Sequence, residues 1–232
     1  EDLLSLRKDI GFINEVTGMR LELHWQLFLN RHAFADTSIM TASRVIPVTG
    51  AAGLRTLGQE DLFAYLCMHG ALHWWHRLKW LADVNALLAA KPERDVELLI
   101  GGAEARGAGR AATQALLLCH RLLGTPLPAR LTSKKANGMI ARWLEATALK
   151  ALTAGRGEHD PHLTRFGTTR GSLSAILLGC GWRYKLREMA VQLTNPTDVL
   201  TLSLPRRLRF FYPFLRLPLW LRRHTIQHIR RK

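Results

Sequence analysis

Hydrophobic and polar positions along the 232-residue chain follow two periods, and the change falls near residue 58. Before it the period is two. From Met19 to Phe28, Leu21, Leu23, Trp25 and Leu27 alternate with Arg20, Glu22, His24 and Gln26, the pattern of a half-buried strand with one polar face. Ile10 to Val16 supplies a partner strand across Thr17-Gly18. Arg44 to Val48, then Thr49-Gly50 and Leu54 to Leu57, read as a second short pair, with Pro47 confining its first member to a sheet edge. Four strands predict one small sheet. On its polar side Glu22 and His24 point the same way, beside Arg20 and Gln26, so a ligand there meets a carboxylate and an imidazole together. Glu1 to Asp9 reads as the end of a helix with Leu3, Leu4 and Leu6 inward, and Leu29 to Ser43 as loop with a short helical turn.

From Gly58 onward the period is helical. Glu60 and Asp61 suit a first helical turn, and they open the stretch around which the chain is organised, Asp61 to Ala90. At about 100° per residue, His69, His73, His76, Trp80 and Asp83 fall in one sector, and Cys67, Ala71, Trp74, Leu78 and Leu81 lie roughly opposite. Gly70 interrupts the pattern, marking a kink or a close approach by another backbone. Two helices in tandem or one bent helix are expected. Lys91-Pro92 ends this element. Helices follow at Glu93 to Arg106 and Gly109 to Leu123, parted by Gly107, with a break at Gly124 and Pro126 to Pro128. Ser133 to Leu152 is the next helix, Gly155 to Thr169 a polar loop, and Ser172 to Leu193 a helix interrupted near Gly179 and Gly181. After Leu204, Pro205, Pro213 and Pro218 allow only short helical pieces. The expected fold class is α+β: a small antiparallel or mixed sheet in residues 1–57, a helical domain in 58–193 and a basic Pro/Arg-rich arm in 194–232.

With 47% apolar residues the chain can bury an ordinary core. Cys67, Cys119 and Cys180 are odd in number, far apart and form no CxxC pair, which argues against a disulfide framework or zinc ribbon and for a reducing, cytoplasmic setting. No run reaches the roughly 20 apolar residues of a membrane span; Leu173 to Trp182 comes nearest and Arg183 closes it. The opening at Glu1, without Met or the features of a signal peptide, suggests a piece of a longer protein. Charge is uneven. Thr201 to Lys232 holds eight Arg and one Lys with no acid, +9 of the net +15, leaving +6 for everything before. That balance suits nucleotides, nucleic acid or an anionic membrane surface.

Several constellations compete with plainer readings. His69, His73 and His76 invite zinc, but there is no HExxH and no obvious remote ligand, so polar packing contacts are the bland alternative. Arg77, Lys79 and Asp83 are either a solvated helix face with an internal ion pair or, beside imidazoles and a carboxylate-bearing strand, part of a triphosphate site. Glu158-His159-Asp160 has the spacing of a strand-borne metal pair yet sits among Gly155, Gly157 and Pro161, the setting of a solvated turn. Gly171-Ser172 is at most an anion-tolerant helix start. No P-loop, GxGxxG, GxSxG elbow or protein-kinase set is present. The tail mixes Arg206, Arg207, Arg209, Arg216, Arg222 and Arg223 with Phe210, Phe211, Tyr212 and Trp220. Membrane-surface and single-strand binders do so, as does an arm whose aromatics cover a helical bundle.

Three stretches together resemble the uncharacterised nucleotidyltransferase family of bacteria, a branch of the polymerase-beta-like nucleotidyltransferases. They are Met19-Arg20-Leu21-Glu22-Leu23-His24-Trp25; Leu66-Cys67-Met68-His69-Gly70-Ala71-Leu72-His73 with Arg77-Leu78-Lys79-Trp80-Leu81-Ala82-Asp83; and Pro196-Thr197-Asp198 with Leu204-Pro205 and the Tyr212 to Arg223 arm. The resemblance implies a small sheet whose three acids hold magnesium, a helical region behind it, and transfer of a nucleoside monophosphate from a nucleoside triphosphate to an acceptor. It gives Glu22 the place of the third acid, catalytic and metal-binding. It gives His24, His69, His73, Arg77, Lys79 and Asp83 to the nucleotide or acceptor pocket. The sequence departs from the family in one respect: nothing in Glu1 to Gly18 supplies the Gly turn and the two acids one residue apart that bridge a magnesium pair. The expectation is a nucleotidyltransferase incomplete in this segment, either the later part of a longer enzyme or an inactive relative. The alternative from another class is a non-catalytic module that grips a phosphate-rich partner, nucleic acid or anionic membrane, through the helical face and the arm.

Overall fold

The computed structural model describes residues 7–34, 44–48, 50–89, 91–132, 138–154, 165–194, 199, 201–212, 214, 215 and 218. The chain divides into two compact units, one of Glu1–Asn30 with Leu186–Lys232 and one of Arg31–Lys185. The fold class is α+β, with antiparallel strands first and eight helices after them among the described residues.

In the first unit β1 (Asp9–Ile13) pairs antiparallel with β2 (Arg20–His24), setting Asp9 opposite His24, Gly11 opposite Glu22 and Ile13 opposite Arg20. The turn between them is built from local chemistry. Asn14 Oδ1 accepts the backbone N–H of Val16 at 2.9 Å and of Thr17 at 3.0 Å, and Gly18 takes the left-handed φ of 69° that glycine adopts without strain. The half-buried strand expected here is instead exposed along its length, with Leu21 at 64% and Leu23 at 58% of full exposure, because a two-stranded ribbon by itself has no inside. At the other end of this unit a 3-10 segment, Arg206–Phe211, begins just after Pro205. Tyr212 follows it and is buried, its hydroxyl donating to the Leu202 carbonyl at 2.8 Å and accepting from the Leu204 N–H at 3.0 Å.

In the second unit β3 (Arg44–Val48) and β4 (Ala51–Thr56) form a separate antiparallel ribbon with an irregularity between Ile46 and Val48, where Pro47 has no N–H to give. The four strands therefore make two ribbons and not one sheet. The core is helical. α1 (Gln59–Leu72) packs against α2 (Leu78–Leu88), α3 (Glu93–Ala105), α4 (Gly109–Leu123) and α7 (Arg165–Leu178). Its buried face is Phe63, Ala64, Cys67, Met68, Gly70 and Ala71, small enough at most positions for neighbouring helices to close on it. α4 answers with Ala111, Ala112, Ala115, Leu116, Leu118 and Cys119. Burial pushes the Cys119 thiol up to about 12 and the Cys67 thiol well above its ordinary value, so both are packing groups and not nucleophiles.

The remaining helices are α5 (Ala129–Thr132), α6 (Gly138–Ala154) and α8 (Trp182–Leu193). The interruption expected at Gly179 and Gly181 separates α7 from α8, and Gly107 separates α3 from α4. α7 begins at Arg165, inside the stretch read as a polar loop. Tertiary anchoring wins over weak local patterning there: Arg170 Nε donates to Thr147 Oγ1 at 3.0 Å, and its guanidinium lies 5.3 Å from the Trp143 ring centre. No helix among the described residues is long and apolar enough to cross a membrane.

Candidate functional site

The centre of the second unit is the corner between α1 and α2. The helix ends at Leu72, beyond Gly70, and the chain turns through His73 to Arg77. Trp75 N–H bonds the Gly70 carbonyl at 2.8 Å and Trp74 N–H the Ala71 carbonyl at 3.1 Å, the paired closure of a Schellman end. Such an end normally places glycine in the left-handed region. Here Trp74 and Trp75 occupy it, at φ 55° and 56°. The conformation costs about 1–2 kcal/mol per residue for side chains bearing a Cβ.

Burial of the two indoles outweighs that cost. Trp75 is fully enclosed and Trp74 is 7% exposed, and truncating a buried aromatic costs about 3–5 kcal/mol. Both rings fit only because glycine lies beneath them. A Cβ on Gly70 would stand 2.4 Å from Trp75 Cζ3, and one on Gly171 of α7 would stand 1.5 Å from Trp74 Cζ2. Gly70 thus marks the close approach of a side chain and not a kink. The indole Nε1 of Trp75 donates to Gln114 Oε1 at 3.1 Å, and Gln114 Nε2 donates to the Leu144 carbonyl at 2.6 Å, which satisfies a buried polar chain from the corner through α4 to α6.

This corner assembles the histidines. His69 and His73 have ring centres 4.7 Å apart, and the Trp80 ring lies 5.1 Å from His69, 5.2 Å from His73 and 4.9 Å from His76. His76 Nδ1 is 2.8 Å from the His73 carbonyl, and Arg77 sets its guanidinium 5.7 Å from the Trp80 ring centre. The sector that helical spacing gives these residues is realised across a turn between two helices, one of the two expected outcomes. The turn resets the helical phase, which is why Leu78, expected inward, is 54% exposed, while Leu81 is buried. Lys79 and Asp83 stand exposed on α2.

In the first unit the polar side of the β1–β2 ribbon carries the other set. Glu22 Oε2 is 3.3 Å from His24 Nε2, as alternation predicts, and the Glu22 side chain is 72% exposed. Sequence reading missed Asp9. Its Oδ2 is 3.8 Å from His24 Nδ1 across the ribbon, so one imidazole is flanked by two carboxylates. The hydrogen bond from Lys8 holds the Asp9 carboxyl below its usual range. A smaller desolvation opposes this, and the charges of Lys8, His24 and Arg7 add to it. The signal was present in the period of β1, which puts Asp9 and Gly11 on one face, but it needed the strand register to be read.

An ion pair in the second unit, buried at Asp61 and part-buried at Arg106, is also missed by local reading. Arg106 Nε donates to Asp61 Oδ1 at 2.8 Å beside a cleft of about 370 Å³, a partner that the position of Asp61 in a first helical turn does not announce. A second cleft, of about 500 Å³, is lined in part by His32, Arg110 and Arg183; the Arg110 guanidinium there is committed to the carbonyls of Leu177 at 2.7 Å and Gly179 at 3.3 Å. Among the described residues no group of three or more His, Cys, Asp and Glu side chains is placed to hold a metal ion. Glu158-His159-Asp160, Pro196-Thr197-Asp198 and most of the Arg-rich arm, Arg216, Trp220, Arg222 and Arg223 included, lie outside the described residues.

The family model described as uncharacterised nucleotidyltransferase matches residues 6–124, just over half of the chain. The chain belongs to this family. The match takes in both ribbons and the helices from α1 to α4, ending at Gly124, the left-handed cap of α4. Two of the three resembling stretches, those around Glu22 and around His69 to Asp83, therefore fall inside it, and the third lies beyond. No curated protein and no solved structure matches the chain.

Proposed function

We propose that the chain serves the transfer of a nucleoside monophosphate from a nucleoside triphosphate to an acceptor. The observation that carries this reading is the family match, which covers Glu22 on β2 and the histidine corner in one continuous stretch. Magnesium would neutralise charge on the phosphates and steady the leaving pyrophosphate. Glu22 is the residue that would hold it: an exposed carboxylate on a strand is an oxygen ligand of the kind magnesium takes. His24 beside it orients that carboxylate and, when protonated, offers a donor to a phosphate oxygen. His69, His73, Arg77, Lys79 and Asp83 contribute to the nucleotide or acceptor pocket, the imidazoles and guanidinium as donors and Asp83 as an acceptor for a hydroxyl.

The test is magnesium-dependent binding of a non-hydrolysable nucleoside triphosphate, followed by calorimetry with Glu22→Gln. The expected result is a loss of at least about tenfold in affinity, about 1.4 kcal/mol. Binding that is indifferent to magnesium and to Glu22 would remove the residue from the site.

One observation favours a second reading, a non-catalytic module for a phosphate-rich partner: the net charge of +15. That reading predicts binding of polyphosphate or single-stranded RNA without magnesium, weakening steeply with salt.

A further inference from the structure

α8 buries a carboxylate beside Tyr184 and leaves aliphatic side chains on its outer side. Glu188 is 3% exposed, turned inward, where Asn30 Nδ2 and Gln192 Nε2 each donate to its carboxylate at 2.9 Å. Leu186, Met189 and Leu193 are exposed at 57%, 45% and 41%. At about 100° per residue these three fall within about 60° of one another, so they form a single apolar stripe on the outer side of the helix. The residues that follow continue the theme, with Leu202, Leu208, Phe211 and Phe214 all exposed.

Charge identifies what covers this stripe. The helix holds Arg183, Lys185 and Arg187, and its single acid is the one already turned inward and bonded. Thr201 to Lys232 adds nine cations and no acid. A protein partner would have to match a cationic surface with an acidic one around an apolar centre. Nucleic acid would use the cations but gain nothing from aliphatic side chains, since its affinity comes from phosphate contacts and base stacking. A bilayer surface with anionic headgroups takes both: hydrocarbon accepts Leu and Met, at about 25 cal/mol per Å² removed from water, and the headgroups attract the cations.

We propose that the outer face of α8, with the exposed apolar residues after it, lies in the interfacial layer of a membrane that carries anionic lipid. The helix runs parallel to the surface and does not cross it. Leu186, Met189 and Leu193 enter the acyl boundary, and Arg183, exposed on the same helix, stays at headgroup level. This goes beyond nucleotidyl transfer and does not rest on it.

The test is flotation of the whole chain with vesicles of phosphatidylcholine containing phosphatidylglycerol, against vesicles of phosphatidylcholine alone. The chain is expected to float with the first and not the second, and to be released as salt rises well above about 0.1 M. Replacing Leu186, Met189 and Leu193 together by Ser should lower the partition coefficient at least about tenfold, with the helical circular dichroism spectrum retained, because none of the three side chains is buried in the fold. The single substitution Leu186→Ser should give a smaller drop and serves if the triple variant fails to fold. Three results would overturn the proposal: Ser variants that float as well as the parent, a vesicle-free dimer that the Ser variants abolish while the parent ignores vesicles, or tight RNA binding by the parent with no vesicle binding.

Discussion

The β1–β2 ribbon and the α1–α2 corner both present histidines beside groups of opposite or complementary character, but they are held by opposite means. The ribbon is made of local decisions. Asn14 and Gly18 close its turn, alternation sets its faces, and its apolar side chains remain in water. The corner is made of distant ones. Its backbone adopts a conformation that tryptophan disfavours, and residues far along the chain, Gln114 and Gly171, make the space and the hydrogen bond that hold it. Local structure of this kind is cheap to keep and cheap to lose. A corner whose strain is offset by burial is neither.

The sharpest way to break that contrast is to remove the buried indole. Trp75→Ala should destabilise the second unit by about 3–5 kcal/mol in urea titration, since it deletes a fully enclosed ring and leaves Gln114 without its donor. A loss under about 1 kcal/mol would mean that the corner is not what the unit is built on.

A second test uses the sign of an effect. Glycine to alanine within a helix ordinarily stabilises by up to about 1 kcal/mol, and Gly101→Ala on α3, with open space around it, should do so. Gly70→Ala should instead destabilise by about 1–3 kcal/mol, because the added methyl overlaps the Trp75 ring. Denaturant midpoints of the two variants should move in opposite directions.

The ribbon is expected to answer weakly. Leu21→Thr should change global stability by no more than about 0.5 kcal/mol, as for other exposed positions.

Smallest of all is the effect of acid on the ribbon. The Asp9 carboxyl is held below its usual range, so whatever it contributes is fully present above that range and is lost as pH falls through its lowered value, below about pH 4. With the side chain 35% exposed, solvent screening keeps this well under about 1 kcal/mol. Amide chemical shifts of β1 and β2 should record the step, and Asp9→Asn should remove it.

How much the sequence revealed follows the same division. The ribbon pairing, the Glu22–His24 neighbourhood and the glycine breaks at Gly107 and Gly124 could be read because alternation, turn residues and caps act over a few positions. The helical corner was read only in outline. Two helices were an expected outcome, but the break belonged at His73 to Arg77, where no glycine or proline announces it, and Gly70 had a packing role that no local rule reports. Asp9 escaped because its importance lies in register, and the Arg106 partner of Asp61 because 45 residues separate them. The exposure of Leu21 and Leu23 escaped because alternation says which residues share a face and not whether anything covers it.

The double left-handed tryptophan turn also bears on the order in which the chain acquires its structure. Neither Trp74 nor Trp75 has a local reason to leave the right-handed region, so in the unfolded chain α1 has every incentive to run on past Leu72. The corner can close only after α4 and α7 have arrived with Gln114 and Gly171, some 40 and 100 residues downstream. Substitutions at the corner should therefore accelerate unfolding and leave the refolding rate nearly unchanged, the signature of a contact formed after the transition state.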